Sequence, residues 1–207
     1  MRMRIFCLTA TLFLLFLTAG AQSVADLFVS MPTVKTPYLT KELKEKLVEG
    51  YKPGTVFSVT NRLQGETSID TLAADYGRFS LSASRELTLA LLPVEGGDSI
   101  LLCLDTHKAP APQSEITFYD QQWNELPRQN LLPDITVSET LASADSVPTA
   151  DFNRAVLAFE LLSFDYDPAS KSLSVNMTTP FLPVEKKDLM KPTECKRTLK
   201  WGGLKFN

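Results

Sequence analysis

Two periods of apolar residues divide the chain. Leu39, Leu43 and Leu47 recur every four positions, while Lys41, Glu42, Lys44, Glu45 and Lys46 fill the places between them. Because an α-helix turns once in about 3.6 residues, this spacing lays the leucines along one face and predicts an amphipathic helix. Thr36 is placed to cap it, Pro37 suits its first position and Gly50 its stop. Ahead of it, Ala25 to Met31 is a short apolar segment ended by Pro32, enough for one or two helical turns.

From Thr55 the period changes to two. Val56, Ser58 and Thr60 alternate with Phe57 and Val59; Phe79 and Leu81 alternate with Ser80 and Ser82; Leu87, Leu89 and Leu91 alternate with Glu86, Thr88 and Ala90. Further strands are expected at Ser99 to Asp105, Glu115 to Tyr119, Ala155 to Tyr166, Ser172 to Thr178, Thr198 to Trp201 and Leu204 to Phe206. Turn chemistry separates them: E-G-G-D at Glu95 to Asp98, Y-D-Q-Q-W at Tyr119 to Trp123, D-P-A-S-K at Asp167 to Lys171 and W-G-G-L at Trp201 to Leu204. Such short spacers join antiparallel neighbours, since parallel strands need a long crossover. The expected fold is α+β, a mostly antiparallel β-sheet with an N-terminal amphipathic helix. Between Leu126 and Ala150 the pattern dissolves into a loop-like span or a short helix, and the chain has no glycine-rich phosphate loop.

The first residues carry Arg2 and Arg4, an apolar run from Ile5 to Leu17, and Ala19 and Ala21 around Gly20. This is the layout of a secretory signal peptide, and the apolar run is short for a bilayer span. The expectation is a leader over residues 1–21 and one α+β domain over 22–207, exported to the periplasm or the extracellular space with no membrane span after cleavage. A short membrane anchor is the competing reading, disfavoured because the A-x-A site leads directly into Gln22. A lipoprotein would need a cysteine at the cleavage point, and Cys7 lies far upstream.

Without Arg2 and Arg4, the 21 basic side chains become 19 against 24 acidic ones, a formal charge of −5. Residues 185–207 carry seven Lys or Arg and three acids, which leaves −9 for residues 22–184. An acidic body without a basic surface argues against nucleic-acid binding. The basic tail reads as a solvated strand and loop. Two cysteines follow the leader, Cys103 and Cys195, so one intramolecular disulfide can form in an oxidising compartment. Against it, Cys103 lies in I-L-L-C-L, where a thiol behaves as a small buried hydrophobe.

Candidate chemistry gathers in D-S-I-L-L-C-L-D-T-H, Asp98 to His107, which holds a cysteine, an aspartate and the sole histidine. On a strand Cys103, Asp105 and His107 share a face. Cys103 and His107 are then about 13 Å apart at about 3.3 Å per residue, too far for a thiolate–imidazole dyad. Asp105 and His107 are about 6.6 Å apart along the strand, so a carboxylate orienting an imidazole is geometrically available. The plainer reading is a strand that leaves the core at Asp105, with Thr106, His107 and Lys108 opening an exposed loop. Metal sites built on His and Cys are disfavoured by one histidine and two distant cysteines, and no cofactor is expected. Asp165 and Asp167 share a strand face and could help bind calcium, yet their place before Pro168 matches turn chemistry. There is no G-x-S-x-G nucleophile elbow. Trp123 and Trp201, each beside turn residues, read as edge or core plugs before a carbohydrate-stacking platform.

Several stretches resemble a family of secreted Bacteroidales proteins known only as a domain of unknown function. They are A-D-L-F-V-S-M-P at Ala25 to Pro32 with P-Y-L-T close behind, L-A-A-D-Y at Leu72 to Tyr76, E-L-T-L-A-L-L-P, I-T-F-Y-D-Q-Q-W-N-E-L-P and the closing L-K-W-G-G-L-K-F. After Thr40 the chain departs from the family pattern, with a lysine- and glutamate-rich helix in place of a more apolar one. The resemblance implies export but transfers no functional residue. It also implies O-glycosylation at Asp followed by Ser or Thr and an apolar residue, with matches at Thr71, Ser99 and Ser146. The leading expectation is an exported, non-catalytic envelope module that binds a protein, a peptide or a glycan through its sheet. The alternative is a small hydrolase or lyase using Asp105 and His107.

Overall fold

The computed structural model describes residues 22–97, 99–109, 111–135, 162–177 and 196–207. Seven strands form a meander in which chain order is also spatial order: β1 (Ser58–Thr60), β2 (Glu66–Leu72), β3 (Tyr76–Ser82), β4 (Arg85–Pro93), β5 (Ser99–His107), β6 (Gln113–Tyr119) and β7 (Glu125–Leu126). A smaller sheet, ordered β10–β9–β8, consists of β8 (Leu162–Asp167), β9 (Ser172–Met177) and β10 (Lys196–Lys200). All pairings among these strands are antiparallel, as the short turn-rich spacers require.

Strand alternation sends the side chains of the large sheet into two cores. Phe79, Leu81, Leu87, Leu89, Leu101 and Cys103 meet Val24, Leu27, Phe28 and Leu47 of the helical segment on one face. Ala90, Leu92, Leu102, Leu104, Ile116 and Phe118 meet Phe164, Tyr166, Leu173, Val175, Leu199 and Trp201 on the other. The large sheet is therefore the middle layer, covered by helices on one side and the small sheet on the other. Burial on both faces explains why β4 and β5 read as nearly continuous apolar runs.

Helix α1 (Val24–Ser30) begins with a capping box. The Ser23 hydroxyl accepts from the Asp26 N–H and the Asp26 carboxylate accepts from the Ser23 N–H. Gly77 lets α1 approach β3, since a Cβ there would lie 2.9 Å from Val24 Cγ1 and 2.7 Å from the Phe79 ring. Phe28 stacks on that ring with centroids 4.0 Å apart.

Helix α2 (Lys41–Gly50) corrects two expectations. It starts at Lys41, because Thr40 supplies the cap by accepting from the Leu43 N–H, while Thr36 and Pro37 belong to the turn after a 3₁₀ segment, Thr33–Lys35. Lys44 leaves the polar face to which its spacing assigned it and is 1% exposed, its Nζ donating to the Met31 carbonyl at 2.8 Å. Gly50 is the last helical residue, and a Cβ on it would lie 2.3 Å from the Phe57 ring, which would have to move to admit a side chain.

Among the strands, β2 was not anticipated. E-T-S-I-D-T-L places only Thr67 and Ile69 fully inside and carries a bulge between Ile69 and Thr71, so no alternation of large apolar residues marks it. Val56 and Phe57 lie before β1, with Val56 96% exposed. β5 continues through His107, since Asp105, Thr106 and His107 all pair with both β4 and β6. The strand expected at Thr198 to Trp201 is β10, whereas Leu204 to Phe206 forms no strand and Phe206 makes only an isolated bridge with Trp201. Residues 136–161, which hold most of the expected loop and the start of the Ala155 strand, lie outside the described residues, as does the leader. Among the described residues no helix is long and apolar enough to cross a membrane.

Candidate functional site

On the helix-side face of β4 to β6, the 3₁₀ segment Thr33–Lys35 and the sheet enclose a cleft of about 210 Å³. Met31, Val34, Lys35 and Thr36 form one wall. The sheet supplies Arg85 and Leu87 from β4, Cys103 and Asp105 from β5, and Glu115, Thr117 and Tyr119 from β6. Register sets their order: Asp105 lies opposite both Leu87 and Glu115, and Cys103 opposite Thr117.

Arg85 organises the cleft. Its Nε donates to Asp105 Oδ1 at 2.8 Å and its Nη2 to Oδ2 at 2.5 Å, a two-point fork on one carboxylate. Nη1 donates to the Tyr38 hydroxyl at 2.8 Å and Nη2 also to the Lys35 carbonyl at 3.1 Å, so the guanidinium ties the sheet to the 3₁₀ segment. The bond to Asp105 raises the Arg85 pKa.

Lys35 donates to the Tyr119 hydroxyl, and its ammonium lies 4.4 Å from the centre of that ring. Burial pulls its pKa down, but the bond to Tyr119 and the attraction of Tyr119, Cys103 and Glu125 outweigh burial, and the net shift is upward. Trp123 packs on Tyr119 with ring centres 5.2 Å apart. It does so at φ 66°, in a turn whose Asp120 carboxylate accepts from the N–H groups of Gln122 and Asn124. Thr36 is 1% exposed, and among the described residues its hydroxyl has no hydrogen-bond partner.

The chain has relatives of the same build. Residues 16–206 match the family described as "Protein of unknown function (DUF3256)". The chain belongs to that family. A solved structure described as a domain of an uncharacterized protein from Porphyromonas gingivalis W83 is 22% identical, with a TM-score of 0.75 over 90% of this chain and 99% of that one. That likeness shows a shared fold. No curated protein matches the chain. Neither the family nor the solved structure assigns a role to a residue, so the site rests on its own geometry.

That geometry separates the two residues of the sequence-derived dyad. Asp105 lines the cleft, but both of its oxygens are held by Arg85. His107 is exposed, opposite Arg85 across β4 and β5, and outside the cleft lining. Cys103 is a free, buried thiol whose pKa is pushed up to about 12, by burial first and by Asp105 second, which keeps it protonated. Cys195, its expected disulfide partner, and Ser146 lie outside the described residues. Thr71 is exposed beside the β2 bulge, and Ser99 is half-buried at the start of β5. Asp167 accepts from the Ala169 N–H at 3.0 Å and from the Ser170 hydroxyl, and Asp165 pairs with Arg78 at 2.6 Å. Trp201 is a core plug whose Nε1 donates to the Pro93 carbonyl at 2.7 Å.

Lys35, Thr36, Arg85, Glu115 and Tyr119 went unrecognised as site residues. A signal existed for one of them. Arg85 falls on the inward parity of β4, where Leu87 and Leu89 are apolar, and a charge at an inward position needs a partner or a ligand; Glu115 shares its face of β6 with Thr117 and Tyr119. Lys35 and Thr36 sit in an irregular segment where parity carries no information.

Proposed function

We propose that this chain is an exported, non-catalytic binding module of the cell envelope, with the cleft under the 3₁₀ segment as its ligand site. The observation that carries this reading is the clamp of Arg85 on Asp105. It takes the carboxylate away from His107 and leaves a prearranged set of donors and acceptors around an open space, as recognition without bond-breaking requires. The protonated Cys103 thiol supports the same reading, because only a thiolate is an effective nucleophile. Export rests on the charged, apolar and small-residue order of residues 1–21.

The test combines thermal-shift and turnover measurements on the purified protein. The panel is free amino acids, dipeptides, monosaccharides and inorganic phosphate, together with fluorogenic ester, peptide and glycoside substrates. One ligand class is expected to raise Tm in the wild type and in His107→Ala, but less in Thr36→Val, without being consumed. Hydrolysis of any substrate that disappears in His107→Ala would establish the hydrolase reading instead. Fractionation of the native cells is expected to place the protein outside the cytoplasm with Gln22 at its N-terminus.

A further inference from the structure

We infer that the cleft holds a dipeptide-sized zwitterion, its carboxylate at Lys35 and its ammonium at Glu115; this deepens the binding-module reading and rests on it. The charges of the cleft select such a ligand. Arg85 and Asp105 neutralise each other, which leaves one cation and one anion on the walls. Among the described residues neither Lys35 nor Glu115 has an ion-pair partner. Glu115 also lies directly opposite Asp105, a like-charge neighbour that an ammonium would relieve. A simple anion would face Glu115, and a simple cation would face Lys35. A molecule with one charge of each sign meets neither objection.

The spacing agrees. Lys35 sits at the Tyr119 hydroxyl, and Tyr119 and Glu115 are on the same face of β6, four residues apart. At about 3.3 Å per residue the Cα atoms of Tyr119 and Glu115 are about 13 Å apart along the strand, with both side chains on one face. An extended dipeptide spans about 7 Å, and one hydrogen bond of about 3 Å at each end completes the distance. The volume of about 210 Å³ equals about seven waters at about 30 Å³ each, room for two small residues. Thr36 adds an independent sign of a missing partner, because among the described residues its buried hydroxyl has no hydrogen-bond partner, and at the cleft wall it can donate to the carboxylate beside Lys35. Val34, 83% exposed beside Met31 and Leu87, offers an apolar surface to a small side chain.

Calorimetric titration with Ala-Ala, N-acetyl-Ala-Ala and Ala-Ala-amide tests this on the purified protein. Ala-Ala is expected to bind, and blocking either end to weaken it by about tenfold or more, the loss of one charged contact. Glu115→Gln should weaken Ala-Ala by the same factor and leave N-acetyl-Ala-Ala unchanged. Lys35→Met should do the converse with the amide, and Lys35→Arg should restore binding. Blocked dipeptides that bind as well as Ala-Ala overturn the inference whatever the variants do. If D-glucose or phosphate binds in a Thr36-dependent way and Ala-Ala does not, the zwitterion falls while the binding-module reading stands. If nothing in the panel binds, both fall.

Discussion

Lys44 shows most sharply what a single side chain does in this fold. Its ammonium is buried, donates to one backbone carbonyl and lies 5.9 Å from the centre of the Phe28 ring, and burial lowers its pKa to about 8. The unfolded chain holds that proton up to about pH 10.4. Between about pH 8 and 10.4 the unfolded state therefore binds more protons, and stability rises with pH across that window. It is lost again as pH falls through 8. The full swing is on the order of 3 kcal/mol from a pKa near 8. Lys44→Met is expected to flatten this rise and to stabilise the protein at pH 7 by about 1–2 kcal/mol, less than the full swing because the Met31 carbonyl loses its donor. Urea denaturation at pH 7 and pH 10 measures both effects. Lys44 was assigned to solvent because its heptad neighbours are charged, and only the position of the Met31 carbonyl reveals otherwise.

At the scale of elements, helix ends and irregular strands were the hard parts to read. Thr36–Pro37 and Thr40–Lys41 are both acceptable starts by composition, and the choice fell to Thr40 because the 3₁₀ segment uses residues 33–36 for its own hydrogen bonds. Two substitutions separate the roles. Thr40→Ala should destabilise by about 0.5–1 kcal/mol through loss of the cap. Thr36→Val, which removes a hydroxyl with no partner among the described residues, should be neutral or stabilise by up to about 1 kcal/mol, while weakening ligand binding. Chemical denaturation of the two variants side by side checks the contrast. β4 and β5 were legible from their nearly continuous apolar runs between turn residues, and β6 from the alternation of Ile116 and Phe118 with polar neighbours. β2 was not, since a bulge shifts its parity and Ile69 is its only fully buried large apolar residue.

At the scale of the whole molecule, the middle sheet joins two cores, so damage to the outer sheet should spread. Leu173 of β9 is fully buried against the large sheet. Leu173→Ala is expected to cost about 3 kcal/mol and to lower one transition common to circular dichroism and tryptophan fluorescence. Separate transitions for the two signals would show the small sheet unfolding alone. Local sequence by itself determined the α+β class, the antiparallel pairing and most strand positions, because period, turn residues and short spacers act within about ten residues. It also set His107 in an exposed stretch, as the structure has it, but took Asp105 as the point where the strand leaves the core. Tertiary structure alone decided that Arg85 clamps Asp105 and that Lys35, Thr36 and Glu115 line one space. Those groups meet through strand register and through a 3₁₀ segment some fifty residues before Arg85, and contacts at that separation leave no local period to read.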